Sequence, residues 1–481
     1  MKLSRRECLK LSMTAAVGAA LASCKPAEAP TQPPTQQPAG QPTQPSAPTQ
    51  PPAPAEPSGE VSYLIRSDLG AKMAEWTELS VKEFQEAYPK IKVNLIGVPW
   101  GDYNAKLLAM YAAGTPPEIC ANYAAGFATF YANDAIVALD DFVNAHGVDL
   151  TVFDQACLDA LTREGRLWAM PLAHMPEIIF YNKSLFDKAG AKLPPADWAD
   201  KSWTTDAMLE VSAQIAHDAD DPTKAEWGVD FPTGQLGVYS WLWGADPFNG
   251  QGGPELTEAY KTGIVKEVFY TAPKVVAYHQ FRRDLAYEHK VAPRPSDTDV
   301  LAQTHSFTLM TGKIAMAAAG SWQFDSFAAV KPSWEWGVAP LPYGLAGKNT
   351  TPLYNDSWML SKGCKNPEAG FQLLTYLTID KGAEDYARIT GFCPANKTYY
   401  PIFFDSLTQI PNLAMTREQL EQVVKQSFEY GFVTPGKTLD RYPELNKTYT
   451  QTTAPIWNNE TSVEEGMQGV QQAFENLIKT L

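Results

Sequence analysis

Cys24 closes the run Leu21-Ala22-Ser23-Cys24 at the end of an apolar stretch. That is the pattern a lipoprotein signal peptidase cuts, after which the cysteine carries lipid and becomes the first residue of the mature chain. A second chemical signature lies near the other end, where Gly431-Phe432-Val433-Thr434-Pro435-Gly436-Lys437-Thr438 satisfies the GxxxxGK[ST] pattern of a phosphate-binding loop. Such a loop must leave a buried strand and open a helix whose N-terminus faces the phosphates. Here Thr416 to Tyr430 reads as a helix and Pro443 falls five residues past Thr438, so the context is wrong on both sides and nucleotide binding is set aside. Cys120, Cys157, Cys364 and Cys393 could form up to two disulfides in any of three connectivities, or stay as buried thiols. Neither a CxxC pair nor a Cys/His cluster with zinc spacing occurs, and the six histidines are widely scattered, so neither metal nor cofactor is expected. A GxSxG elbow and an HExxH helix are both absent.

The segment that presents Cys24 is built for export. Arg5 and Arg6 form a positive n-region, and Leu11 to Ala22 form an apolar core too short to span a bilayer. The order Ser4-Arg5-Arg6-Glu7-Cys8-Leu9-Lys10 resembles a twin-arginine signal, with Cys8 a departure from it, so twin-arginine and general export both stay open. Residues 1–23 are therefore read as a signal peptide and residues 24–59 as a lipidated cysteine with a Pro-rich tether. Twelve prolines between Pro26 and Pro57, without aromatic or β-branched aliphatic residues, can form no core and favour extended polyproline geometry of ~3.1 Å per residue. The expected address is extracytoplasmic, with a lipid anchor on the cell membrane.

Glu60 to Leu481 is long enough to divide into two lobes. No later run of apolar residues could cross a membrane. Loss of residues 1–23 removes four basic side chains and one acidic one, moving the net charge from −15 to −18. Phosphate backbones would repel such a body, which argues against nucleic acid as a partner. Along the body, strands at Val61–Ile65, Ile91–Ile96 and Glu118–Ala121 alternate with helices at Trp76–Tyr88 and Asp102–Ala113, the rhythm of a parallel sheet flanked by helices. Further helices are expected at Thr205–His217, Pro367–Leu377 and, behind a Ser462…Glu465 capping box, Ser462–Lys479.

Ordered segments along nearly all of this body resemble the extracellular solute-binding proteins of bacterial ABC importers, specifically the family 1 group that binds sugars. They include Phe84-Gln85-Glu86-Ala87-Tyr88-Pro89-Lys90-Ile91-Lys92-Val93, Ala112-Ala113-Gly114-Thr115-Pro116-Pro117-Glu118-Ile119, and Gly165-Arg166-Leu167-Trp168-Ala169-Met170-Pro171. Ile179-Phe180-Tyr181-Asn182-Lys183-Ser184-Leu185-Phe186, Gly312-Lys313-Ile314-Ala315-Met316 with Gly320-Ser321-Trp322, and Trp336-Gly337-Val338-Ala339-Pro340-Leu341-Pro342 continue the same order. The resemblance implies an α/β fold of the type II-like periplasmic-binding-protein kind, with two parallel or mixed sheets in two interleaved lobes. Its hinge crossings would fall near Pro171–His174, Thr350–Tyr354 and Gly391–Pro394. Lobe 1 would hold residues 60–172 and 354–392, and lobe 2 residues 173–353 and 393–481.

The implied function is capture of a carbohydrate, a di- or oligosaccharide, and its delivery to an ABC permease by a monomer that is not an enzyme. A sugar ring offers an apolar C–H face and a rim of hydroxyls, so it calls for flat aromatics and planar polar side chains. Family position nominates Trp322 as the stacking ring, with Tyr239 and Trp241 as further aromatics. Asn122 and Tyr123 sit at the C-terminal end of the third strand, where α/β sheets place ligands. His174 and Glu177 follow the first crossing, and Asn355, Asp356 and Trp358 follow the second. Two alternatives stand: an exported glycoside hydrolase using a carboxylate pair, and the same fold binding a polyol phosphate, which would need a cluster of Arg or Lys.

Overall fold

The computed structural model of the chain describes residues 57–122, 127–232, 234–345, 347 and 349–480, and of Trp100 only the backbone. Cys24, the tether before residue 57 and Tyr123 lie outside the described residues. The described residues form eleven strands: β1 Gly59–Arg66, β2 Ile91–Val98, β3 Ile119–Asn122, β4 Thr162–Arg163, β5 Arg166–Leu167, β6 Met170–Asn182, β7 Trp227–Asp230, β8 Ile314–Gly320, β9 Trp336–Ala339, β10 Thr351–Leu360 and β11 Gly431–Val433. Nine of them join in one sheet, seven along the path β2-β1-β3-β10-β6-β8-β7, with β11 on β10 and β9 on β6, while β4 and β5 form a separate hairpin.

The expected β-α-β-α-β opening is present, with β1 parallel to both β2 and β3. Between them runs the helix Ala71–Ala87, which buries Met73, Trp76, Thr77, Ser80, Val81 and Phe84 at helical spacing. Trp76 carries that packing across the chain, because its indole N–H donates to the Gly382 carbonyl at 2.8 Å and ties the helix to Lys381–Ile389. The terminal helix Val463–Ile478 begins where expected, with Ser462 Oγ accepting from the Glu465 amide at 3.2 Å. Together with Tyr442–Trp457 it closes a second apolar core, in which Tyr270, Leu445, Ile456, Met467, Val470 and Phe474 are buried.

Two halves of the sheet meet on β6, and all thirteen of its residues are buried. Its first part pairs antiparallel with β10, from Trp358↔Met170 to Leu353↔Pro176. From Glu177 onward it pairs instead with β8 and β9. A third segment lies beside these two, where Ala173 bridges Pro394 and the His174 amide donates to the Cys393 carbonyl. The three stretches expected to cross between lobes are thus neighbours, laid side by side along one line. All four cysteines of the body are free thiols, three of them buried.

Candidate ligand site

A cavity of about 360 Å³ opens beside that line. Seven stretches of chain supply its walls. Arg66 stands at the C-terminal end of β1, and Met175 lies on β6 opposite Tyr354 of β10. Asp356 is two residues from Tyr354, on the same face of the strand. Trp322 follows β8, Phe392 lies on the third segment, and Tyr442 and Asn446 share one face of the helix Tyr442–Trp457. Gln235 completes the rim and accepts the Gly436 amide at 3.2 Å.

Aromatic rings dominate the apolar part. Trp322 meets Tyr354 edge to face, with ring centroids 4.9 Å apart and planes at 85°. Gly320 makes this geometry possible, since a Cβ there would stand 1.8 Å from the Trp322 ring. Behind the corner sits Glu177, buried, on the same face of β6 as Met175. Its two carboxylate oxygens accept the hydroxyls of Tyr239 and of Tyr354, the latter at 2.8 Å. Burial pushes this carboxyl up to about 7, against the lowering effect of the two phenol hydrogen bonds. The same burial holds both phenols well above their ordinary range, so they remain donors.

The charged groups at the cavity are matched in sign. Arg66 Nε lies 2.9 Å from Asp68, and Lys437 Nζ lies 2.9 Å from Asp356. Lys437 is only 2 % exposed and also donates to the Asn122 carbonyl at 3.0 Å. The lysine of the GxxxxGKT match is thereby held by strands β3 and β10. The strand β11 lies inside that motif instead of preceding it, and only the short helix Pro435–Thr438 follows, so the loop has no phosphate-cradling form.

Of the residues nominated from sequence, Trp322 and Asp356 line the cavity. Asn122 is fully buried and donates to Ser357 Oγ at 3.0 Å. His174 and Asn355 are a cross-strand pair on the opposite face, joined at 2.5 Å and packed against Phe428. Burial keeps His174 below the usual imidazole range, so the ring is neutral and its Nδ1–H faces the Asn355 oxygen. Trp358 is buried edge-on against Tyr63, and Tyr239 lies behind the corner on Glu177. Trp241 belongs to a different cavity, of about 580 Å³, with Tyr343, Tyr430 and Phe432. Sequence reasoning passed over Tyr354, Met175 and Tyr442. The period of two along β10 would have picked out Tyr354 from Asp356.

A family model for the bacterial extracellular solute-binding proteins matches residues 80–412. The chain belongs to that family, whose place is outside the cytoplasm. Among the described residues no helix is long and apolar enough to cross a membrane. A relative from Brucella abortus, named only as a binding protein, is 25 % identical over 358 residues, covering 71 % of this chain and 77 % of the relative. An ABC substrate-binding protein from Listeria monocytogenes, solved in complex with cycloalternan, superposes with a TM-score of 0.73 at 21 % identity, over 88 % of this chain and 99 % of that one. The maltose-bound MalE3 of T. maritima superposes at 0.68 with 20 % identity, over 87 % and 99 %. The two-lobed α/β fold of these neighbours is the fold of this chain.

Proposed function

We propose that this protein captures a neutral di- or oligosaccharide in the cavity between β10 and Trp322 and hands it to an ABC permease. The lobes are residues 60–172 with 354–392 and residues 173–353 with 393–481, hinged where β6, β10 and Gly391–Pro394 run together. Trp322, Tyr354 and Asp356 are the ligand contacts, and Phe392 and Tyr442 widen the apolar wall. The observation that carries this reading is the right-angled Trp322–Tyr354 corner opening on a cavity rimmed by planar polar side chains. One ring stacks on a pyranose face while the rim takes hydroxyls in paired hydrogen bonds. The bound sugars of the Listeria and T. maritima neighbours support the same class of ligand.

Charge matching disfavours a polyol phosphate. A phosphate dianion needs unmatched cations, and both Arg66 and Lys437 already face carboxylates. Hydrolysis is disfavoured too. Asp356 is the only acid among the cavity-lining residues described, and it is held by Lys437, while Glu177 is 6 % exposed with both oxygens accepting phenols. The protein acts as a monomer, moored by a lipid on Cys24 and spaced from the membrane by residues 24–59.

Incubation of the purified body with neutral mono- to tetrasaccharides and with sn-glycerol 3-phosphate tests this. Thermal stabilisation by an oligosaccharide, without product on chromatography, is expected. Product formation would make the protein an enzyme, and stabilisation by the phosphate alone would reassign the ligand. For the anchor, Cys24→Ser is expected to move the protein from the membrane fraction to the soluble one.

A further inference from the structure

We propose that Glu177 is a positioning residue for capture: its carboxylate holds the Tyr354 hydroxyl and so fixes the Trp322–Tyr354 corner, and protonation of that carboxylate loosens the corner and weakens sugar binding. This rests on the carbohydrate reading of the cavity. The geometry is a relay of three contacts. Tyr239 and Tyr354 both donate to Glu177, and Tyr354 meets Trp322 edge to face. The strand beneath is pinned as well, since Thr351 Oγ1 donates to the Glu177 carbonyl at 2.5 Å. Glu177 is not among the residues lining the cavity, so it acts through Tyr354 without touching ligand.

The groups that face the carboxyl are phenols from three elements: Tyr354 on β10, Tyr239 in the segment Gln235–Trp243, and Tyr278 at longer range on the helix Pro273–Tyr287. On β6 itself, His174 lies on the other face with Asn355. The charged residue of β10, Asp356, is paired with Lys437 of the helix Pro435–Thr438. The two phenol hydrogen bonds offset only part of the cost of burying the Glu177 carboxylate, so its proton comes off only near pH 7. Ionised, it offers an acceptor to each phenol. Protonated, one oxygen becomes a hydroxyl and the phenol facing it loses its strongest partner. Glu177→Gln fixes that second condition at every pH.

Calorimetric titration of the full body with maltotriose and mannotriose between pH 5.5 and 8.5 tests the proposal. Wild type is expected to lose about tenfold in affinity from pH 8 to pH 6, while Glu177→Gln is weak and flat throughout. Tyr239→Phe removes a donor to the ionised form and is expected to move the midpoint to higher pH. A ligand-free readout separates this from the function itself: Trp and Tyr near-ultraviolet dichroism is expected to titrate near pH 7 in wild type and not in Glu177→Gln. Should neither sugar bind wild type, the carbohydrate reading fails while the dichroism still decides the role of Glu177. Affinity independent of pH in wild type, or an unchanged titration in the glutamine variant, overturns the proposal.

Discussion

Two aromatic pockets of this molecule use tryptophan in opposite ways. In the first, Trp322 keeps part of its ring open and turns an edge to Tyr354, so the two rings form a corner facing polar side chains. In the second, Trp241 is 3 % exposed and its indole N–H is taken by Asp246, a buried carboxylate that also accepts the Tyr260 hydroxyl at 2.7 Å. Phe432 lies against it edge-on at 6.3 Å. The local chain explains the contrast. Trp322 follows a glycine at the end of a strand, whereas Trp241 sits in a segment buried from Leu236 to Trp243. An aromatic becomes a platform only where the backbone leaves one of its faces uncovered.

That contrast can be broken by substitution. Trp241→Ala removes a buried ring and is expected to lower unfolding stability by about 3–5 kcal/mol in urea melts, with oligosaccharide affinity unchanged while the protein is folded. A second test concerns the carboxylate behind the open corner. Because the folded value for Glu177 is raised from 4.5 to about 7, its stabilising contribution is complete below pH 4.5 and is lost as pH climbs through 7. The stability of wild type relative to Glu177→Gln should therefore fall by roughly 3 kcal/mol between pH 4.5 and pH 8, and a flat difference curve would contradict the burial account. Trp322→Ala is expected to cost about 1.5–3 kcal/mol of sugar binding, with stability nearly unchanged because the ring is half-buried. Smallest of all, Phe432→Ala at the exposed rim of the second pocket should shift stability by about 1 kcal/mol or less and leave binding untouched.

Much of the frame was legible from residue pattern. β1, β2 and the end of the helix between them were found within two residues, since Pro89 punctuates clear periodicities, although that helix starts five residues earlier, at Ala71, than expected. The three stretches expected as crossings, nominated by resemblance, lie side by side. Side-chain direction at the crossings was harder to read. On β10 a shift of one residue separates Asp356, in the cavity, from Asn355, on the face with His174. Trp358 shares the face of Asp356, yet two residues farther along the strand that face is covered by Tyr63. Neither outcome follows from composition, because each depends on which neighbour covers the strand. Lys437 shows the same limit: its partner Asp356 lies 81 residues away in sequence, and nothing in the GxxxxGKT pattern points to it.

The most direct measurement is calorimetric titration of maltotriose and mannotriose into wild type, Trp322→Ala and Trp241→Phe at pH 8. The account predicts one saturating site in wild type, a loss of about tenfold or more on removing Trp322, and an unchanged affinity in Trp241→Phe. Full affinity without Trp322, together with loss of binding in the Trp241 variant, would contradict it and move the ligand to the other pocket.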